Sequence, residues 1–229
     1  RYAPLLGKIL EEKGLPRDLI FLAMAESGFQ NNAKSWAKAV GTWQFMPYTG
    51  KKFGLKIDWY VDERRDPIKS TIAAANYLSM LYNMFGSWEL AAAAYNAGEG
   101  KIGRAIRMYK TENFWKLRKN RYLKSETKEY VPKIMALAII GKNLKSFDDI
   151  PFHDPLDFEE IDLPPNQDLY QVAEAIELDF EELQRYNPEL RRWQTPLNVD
   201  SYKLRLPIGY KQKFAACCAE SNFEAVAFQ

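Results

Sequence analysis

The chain has 229 residues, 47% hydrophobic and 27% charged, which suits one large domain or a medium domain plus a small one; no run approaches the ~20 apolar residues a bilayer span needs. Its net charge of +2 conceals a division, with 25 Lys/Arg against 13 Asp/Glu up to residue 147 and 7 against 17 from 148 onward. Cys217 and Cys218 are adjacent, a spacing too strained for a disulfide, and with the lone His153 they make too few ligands for a metal site. No metal or cofactor is therefore expected, and both thiols are read as buried small side chains. A basic front and an acidic back predict two modules, 1–147 and 148–229.

Arg1 opens directly onto a helical pattern, so no signal peptide is read and the stretch is taken as mature or trimmed. Leu5, Leu6, Ile9 and Leu10 share one face of a helix over 2–13 that Gly14 stops. Pro16 opens a second helix carrying the apolar run Leu19–Ala25, which ends on Glu26. Few large apolar residues lie between Gly28 and Gly41, so that stretch reads as loop, with a short helix expected over Trp43–Phe53. Asp66-Pro67 is a strong helix start, an N-cap followed by proline at the first position. That helix runs to Phe85 before Gly86, and Ser87 caps the next, "WELAAAAYNAG", which Gly98 stops. Further helices are expected over Lys101–Lys110 and Glu126–Leu144.

A proline-containing acidic stretch, Asp148–Asp157, reads as a linker. Beyond it, "FEEIDLP" and "YKLRLP" are strand candidates, the latter with Leu204 and Leu206 alternating with charge. "DLYQVAEAIEL" and "DFEELQRYN" read as two short helices between them, and a last helix covers Tyr210–Ser221. The fold class is thus mainly α, a helical front followed by a small α+β unit.

Glu26 carries the chemical question. A carboxyl at the end of an apolar helix is either a helix-end group with its head in water or a buried acid. Burial against Phe21 and Leu22 disfavours ionisation and raises its pKa. A carboxylic acid still protonated near neutral pH donates its proton to a leaving oxygen, as glycosidases require. "GTWQFM" puts an amide and aromatic surface within twenty residues of this acid, and "AAAAYNAGEG" adds Tyr95 and Asn96 at a helix end. Aromatic faces pack on sugars and amides read hydroxyl and acetamido groups, although Tyr95 also suits a core and Asn96 a C-terminal cap.

Four ordered motifs carry a resemblance: "ES" at Glu26-Ser27, "GTWQFM" at Gly41–Met46, "AYNAGEG" at Ala94–Gly100 and "ETKEYVPK" at Glu126–Lys133. Over about residues 15–145 the chain resembles the soluble-type lytic transglycosylases and goose-type lysozymes, most closely the membrane-bound transglycosylase D branch. The resemblance implies a lysozyme-like helical lobe with a long cleft, and Glu26 as the single catalytic acid/base. It implies substrate contacts from Ser27, Ser35, Gln44, Phe45, Met46, Tyr95, Asn96 and Glu126, with Tyr130 approaching Glu26 from a closing helix. Lys38, where relatives often have Gly, and Trp36, where a small residue or Pro is common, depart from the pattern. "LPPNQDLYQVAEAIELDFEELQRYNPELRRW…YKLRLP" resembles a divergent LysM unit, a glycan-binding module, with a longer turn from Arg191 to Tyr202.

The implied substrate is the glycan of peptidoglycan, cut between N-acetylmuramic acid and N-acetylglucosamine to give a 1,6-anhydro product. Attack by water instead would make the enzyme a lysozyme. A non-catalytic wall-binding protein is the alternative of another class, and the presence of Glu26 speaks against it. The basic run Lys116–Lys128 prompts a nucleic-acid reading, but no nucleic-acid motif accompanies it. The chain is expected to act as a monomer without nucleic acid or a membrane span, in the periplasm, exported or anchored to the outer membrane. The acidic unit is expected to dock on the basic lobe; if part of it borders the cleft instead, it favours a de-N-acetylated, cationic glycan.

Overall fold

The computed structural model describes residues 1–144 and 154–220, with the side chains of 218–220 left aside. The expected 147/148 boundary, most of the linker and His153 fall outside the described residues. The front is helical, as its periodicity predicts: α1 (Ala3–Glu12), α2 (Ile20–Ser27), α3 (Pro47–Lys52), α4 (Pro67–Phe85), α5 (Trp88–Ala97), α6 (Glu99–Tyr109), α7 (Phe114–Leu117) and α8 (Ser125–Lys142). A single 3-10 turn, Arg17–Leu19, leads into α2.

The caps behave as the sequence suggests. Asp66 accepts from the Ile68 and Lys69 amides at 2.8 and 2.9 Å, and Gly86 ends α4 at φ +66°. Ser87 caps α5, whose residues Ala91–Ala94 are buried. Alanines present little bulk, so α5 packs closely on α4, and its C-terminal Tyr95 and Asn96 are half-buried, the Tyr95 ring packing against the core. At the α2–α8 crossing the small residue is Gly141: a Cβ there would lie 2.2 Å from the Phe21 ring. This close approach brings α8 within reach of the C-terminal end of α2.

The helix expected over Trp43–Phe53 begins only at Pro47. Residues 41–45 form a tight turn instead, with positive φ at Gly41 and Gln44 and a bridge between Val40 and Phe45. Trp43 is fully buried and its indole donates to Thr71 Oγ1 at 2.8 Å, so tertiary burial overrides helix continuation. Gly41 is forced by space: a Cβ would lie 1.7 Å from the Arg64 carbonyl oxygen, at φ +86°. Lys38 stands at φ +69°, a conformation glycine adopts without strain, and Trp36 is 97% exposed beside it. The short α7 was not anticipated; Asn113 caps it through the Lys116 amide.

The back is a second, smaller core. Strands β1 (Glu159–Leu163) and β2 (Tyr202–Leu206) pair antiparallel with Ile161 opposite Leu204, and enclose α9 (Leu169–Ala175) and α10 (Phe180–Tyr186). Ile161, Leu163, Val172, Ile176, Leu183, Leu204 and Leu206 fill it. The last helix, α11 (Tyr210–Glu220), lays Cys217 half-buried with its Sγ 2.8 Å from the Ala175 carbonyl oxygen. Cys217 is thus less buried than expected, and the Cys218 side chain lies outside the described residues.

The two parts are joined by backbone and by charge. The Asp62 amide donates to the Glu189 carbonyl and the Arg191 amide to the Tyr60 carbonyl, both at 2.8 Å. Arg192 lies 3.6 Å over the Trp59 ring. Arg205, which strand alternation places in solvent, is 7% exposed: its guanidinium donates to Asp66 at 2.5 Å and pairs with Glu189 at 3.6 Å. The β2 face that would meet water in an isolated hairpin meets the front lobe here.

Candidate active site

Glu26 stands on the last turn of α2, before Gly28 closes the helix at φ +62°. Its carboxylate accepts a hydrogen bond from the Tyr130 hydroxyl of α8. Burial pushes the Glu26 carboxyl above its ordinary range, with a further push from the Glu126 carboxylate. The Tyr130 hydrogen bond and the Lys133 ammonium oppose this but do not cancel it. Lys133 donates to the Ala25 carbonyl at 2.8 Å, so its cation sits at the C-terminal end of α2, where helix carbonyls favour it. Burial and Glu26 together hold the Tyr130 phenol well above the usual range, so it stays a donor.

Glu26, Asn96, Glu126, Glu129, Tyr130 and Lys133 line one cavity of about 670 Å³. Gln44, Phe45, Met46, Tyr95 and Asn96 line a second, of about 350 Å³. Asn96 belongs to both and is held from α8: Thr127 Oγ1 donates to its Oδ1 at 2.9 Å, and its Nδ2 donates to Glu126 at 3.4 Å. The Tyr95 hydroxyl donates to the Trp43 carbonyl at 2.8 Å, with its ring 6.2 Å edge-on from Phe45. The motif 41–46 and the end of α5 are therefore locked together across the wall of the cleft.

Two expected contact residues are placed differently. Ser27 Oγ donates to the Thr42 carbonyl at 2.8 Å, tying the end of α2 to the 41–46 turn. Ser35 Oγ accepts from the Ala39 amide at 3.0 Å within its own turn, and Ser35 lines neither cavity. Sequence reading assigned no role to Lys133 or Thr127, although both lie in or beside the quoted "ETKEYVPK". Their spacing was the available signal: Thr127, Tyr130 and Lys133 recur every three residues on one helix face. Among the described residues no cluster of three or more His, Cys, Asp or Glu has metal-ligand geometry.

Comparison with known proteins places both the helical lobe and the smaller unit behind it. Residues 6–118 match the family described as the transglycosylase SLT domain, and residues 157–221 that described as the LysM-like domain of lytic transglycosylase MltD. The chain thus carries an SLT-type transglycosylase domain followed by an MltD-type LysM-like domain. Membrane-bound lytic murein transglycosylase D of Escherichia coli K12 is 43% identical over 143 residues, 60% of this chain and 31% of that protein. Peptidoglycan transglycosylase gp16 of Escherichia phage T7 is 39% identical over 105 residues, covering 44% of this chain and 8% of that one.

Of solved structures, an inactive glutamate-to-glutamine mutant of lytic transglycosylase Slt from Pseudomonas aeruginosa superposes with a TM-score of 0.52 at 28% identity, covering 62% of this chain and 24% of that one. The 70 kDa soluble lytic transglycosylase SLT70 from Escherichia coli gives 0.53 at 25%, covering 63% and 24%. The chain spans less than a third of the length of each of these relatives. The SLT match ends at residue 118, before the helix that carries Glu126, Tyr130 and Lys133.

Proposed function

We propose that the protein cleaves the β-1,4 bond between N-acetylmuramic acid and N-acetylglucosamine in peptidoglycan, with Glu26 as its single acid/base and a 1,6-anhydro sugar as product. The carrying observation is the raised, cavity-facing carboxyl of Glu26 held by a neutral phenol. Glu26 gives its proton to the glycosidic oxygen as the C–O bond breaks. The acetamido group of the muramic residue stabilises the positive anomeric carbon, which removes the need for a second carboxylate. The Glu26 carboxylate then takes the proton of the 6-hydroxyl as that oxygen closes on the anomeric carbon. The acid is thereby restored and no water is consumed.

Tyr130 is a positioning residue in this scheme, orienting Glu26 and stabilising its ionised form between the two steps. Gln44, Phe45, Met46, Tyr95, Asn96 and Glu126 lie along the glycan, while Ser27 and Ser35 hold the turns that carry it. Support comes from relatives named as murein and peptidoglycan transglycosylases, and from the glutamate-to-glutamine change that inactivates a solved one. The reading puts the work where peptidoglycan lies, in the periplasm; among the described residues no helix is long and apolar enough to cross a membrane. Mass spectrometry of digested sacculi tests it. Products one water lighter than hydrolysis products are expected from the wild type and none from Glu26→Gln. Products of full hydrolytic mass would make the enzyme a lysozyme.

A further inference from the structure

The stretch that leads into α4, residues 60–66, has neighbours on both of its edges. On one edge it pairs with the back unit, where Val61 bridges to Leu190 between the Asp62 and Arg191 amide bonds. On the other lies the turn that brings Gln44 and Phe45 to the second cavity. Asp62 and Arg64 span the gap between them, and the cleavage scheme uses neither. Both are buried, 4% and 6% exposed. Arg64 donates through Nε and Nη2 to the two carboxylate oxygens of Asp62, each at 2.8 Å. This fork fixes the guanidinium plane and aims Nη1 at the turn. There Nη1 donates to the Lys38 and Phe45 carbonyls, both at 3.0 Å. One nitrogen thus clasps the two ends of residues 38–45.

Stability alone does not account for this clasp. Desolvation offsets most of the attraction in a buried ion pair, and apolar residues of the same volume often serve the fold as well. The turn itself is strained: Lys38 and Gln44, neither of them glycine, stand at φ +69° and +49°. Such conformations persist only where the surroundings over-determine them, and they gather at functional sites. The turn also carries the cleft wall, since Tyr95 is tied to its Trp43 carbonyl. Glu26 is held separately, by Tyr130 of α8. We propose that Arg64, oriented by Asp62, is a positioning residue that holds Gln44 and Phe45 against the glycan in the second cavity. The inference rests on the reading of the two cavities as the glycan site. Loss of the clasp removes sugar contacts away from the acid and leaves proton transfer at Glu26 in place.

Two measurements test it. The first is the ratio of kcat/KM on a long glycan strand that fills both cavities to that on a short strand confined to the Glu26 cavity. The wild type is expected to favour the long strand about tenfold. Arg64→Lys keeps the charge but loses the fork, and is expected to bring the ratio close to one. Asp62→Asn, which keeps the guanidinium and loses one acceptor, is expected to lower it part-way. Rates are taken per folded molecule well below the melting midpoint, so lost stability alone leaves the ratio where it was. A ratio near one in the wild type, or one that either variant leaves unchanged, overturns the proposal. The second measurement is amide hydrogen exchange and needs no turnover. The Val40 and Phe45 amides each donate to the other's carbonyl at 3.1 Å. In Arg64→Lys their exchange is expected to accelerate at least tenfold more than that of Leu78 in the buried core, which reports global opening. Equal acceleration at all three sites, or none at Val40 and Phe45, overturns the proposal, because the pair then serves stability only. Failure of the glycan reading shows separately, as absence of cleavage of either strand.

Discussion

Glu26 and Glu189 are both carboxyls that burial pushes above their ordinary range, yet the elements around them supply different partners. Glu26 borders a cavity and accepts from a neutral phenol, while the nearest cation is spent on a backbone carbonyl. Glu189 is 2% exposed; it accepts from Tyr202 at 2.8 Å and shares the Arg205 guanidinium with Asp66. The cost of burying a carboxylate is met in one place by keeping a proton within reach of a ligand, and in the other by a cation locked away from water. A raised pKa marks a reactive group only where a cavity reaches it, and the junction shows the same shift serving assembly.

The comparison breaks most sharply at Glu26 itself. Glu26→Gln is expected to lower wall-lysis rates by at least ~10²–10⁴-fold, while the melting midpoint stays within about 2 °C because an amide fits the same space. Retained activity would move the acid role to Glu126 or Glu99.

Arg205→Ala should do the reverse. It leaves Asp66 and Glu189 buried without their cation, a loss of about 3–5 kcal/mol that lowers the melting midpoint by roughly 10 °C. The rate per folded molecule should change far less. An unaltered midpoint in calorimetry would show that the junction does not stabilise the chain.

Tyr130→Phe sharpens the account of the site. The hydrogen bond favours ionised Glu26, so its removal raises the Glu26 pKa further and carries the alkaline limb of kcat/KM to higher pH. kcat should fall more than KM rises. An alkaline limb moving down in pH would contradict the direction assigned to this bond.

The smallest effect concerns Glu189, raised from 4.5 to about 7 in the fold. Below pH 4.5 the folded and unfolded forms are both protonated and the group contributes nothing to pH dependence. Between 4.5 and 7 the folded form holds more protons, so stability falls as pH rises, and the full penalty is present above 7. Melting midpoints across that window should decline less steeply in Glu189→Gln than in the wild type, and parallel slopes would remove the assignment.

Much of the front was legible in the sequence because its signals are local. Asp66-Pro67, Ser87 and the glycines at 86 and 98 mark helix ends by rules that operate within one turn. Glu26 was only half legible: an apolar run ending in a carboxylate leaves a solvated helix end and a buried acid both open, and the acid/base role was read from the resemblance carried by the four motifs. Three features were not legible. The turn at 41–45 depends on where the Trp43 ring goes, the role of Lys133 on how α8 crosses α2, and the burial of Arg205 on which surface covers β2. Each is a contact across a long stretch of sequence, and neither periodicity nor propensity reports it. The docking itself was foreseen from the opposite charges of the halves, but the local signs are reversed: the unit with the acidic balance supplies Arg191, Arg192 and Arg205, and the basic lobe supplies Asp66. Net charge sets long-range attraction, whereas individual residues set the contact.

The tie between Tyr130 and Glu26 closes a loop of 104 residues, and the Lys133 tie one of 108. A nascent chain emerging N-terminus first therefore presents Glu26 to water, as an ordinary carboxylate, well before the helix that completes its pocket is made. At about 5–20 residues per second the interval is roughly 5–20 seconds. The acid acquires its altered affinity for protons only when the lobe closes on itself, so an unfinished chain is chemically silent.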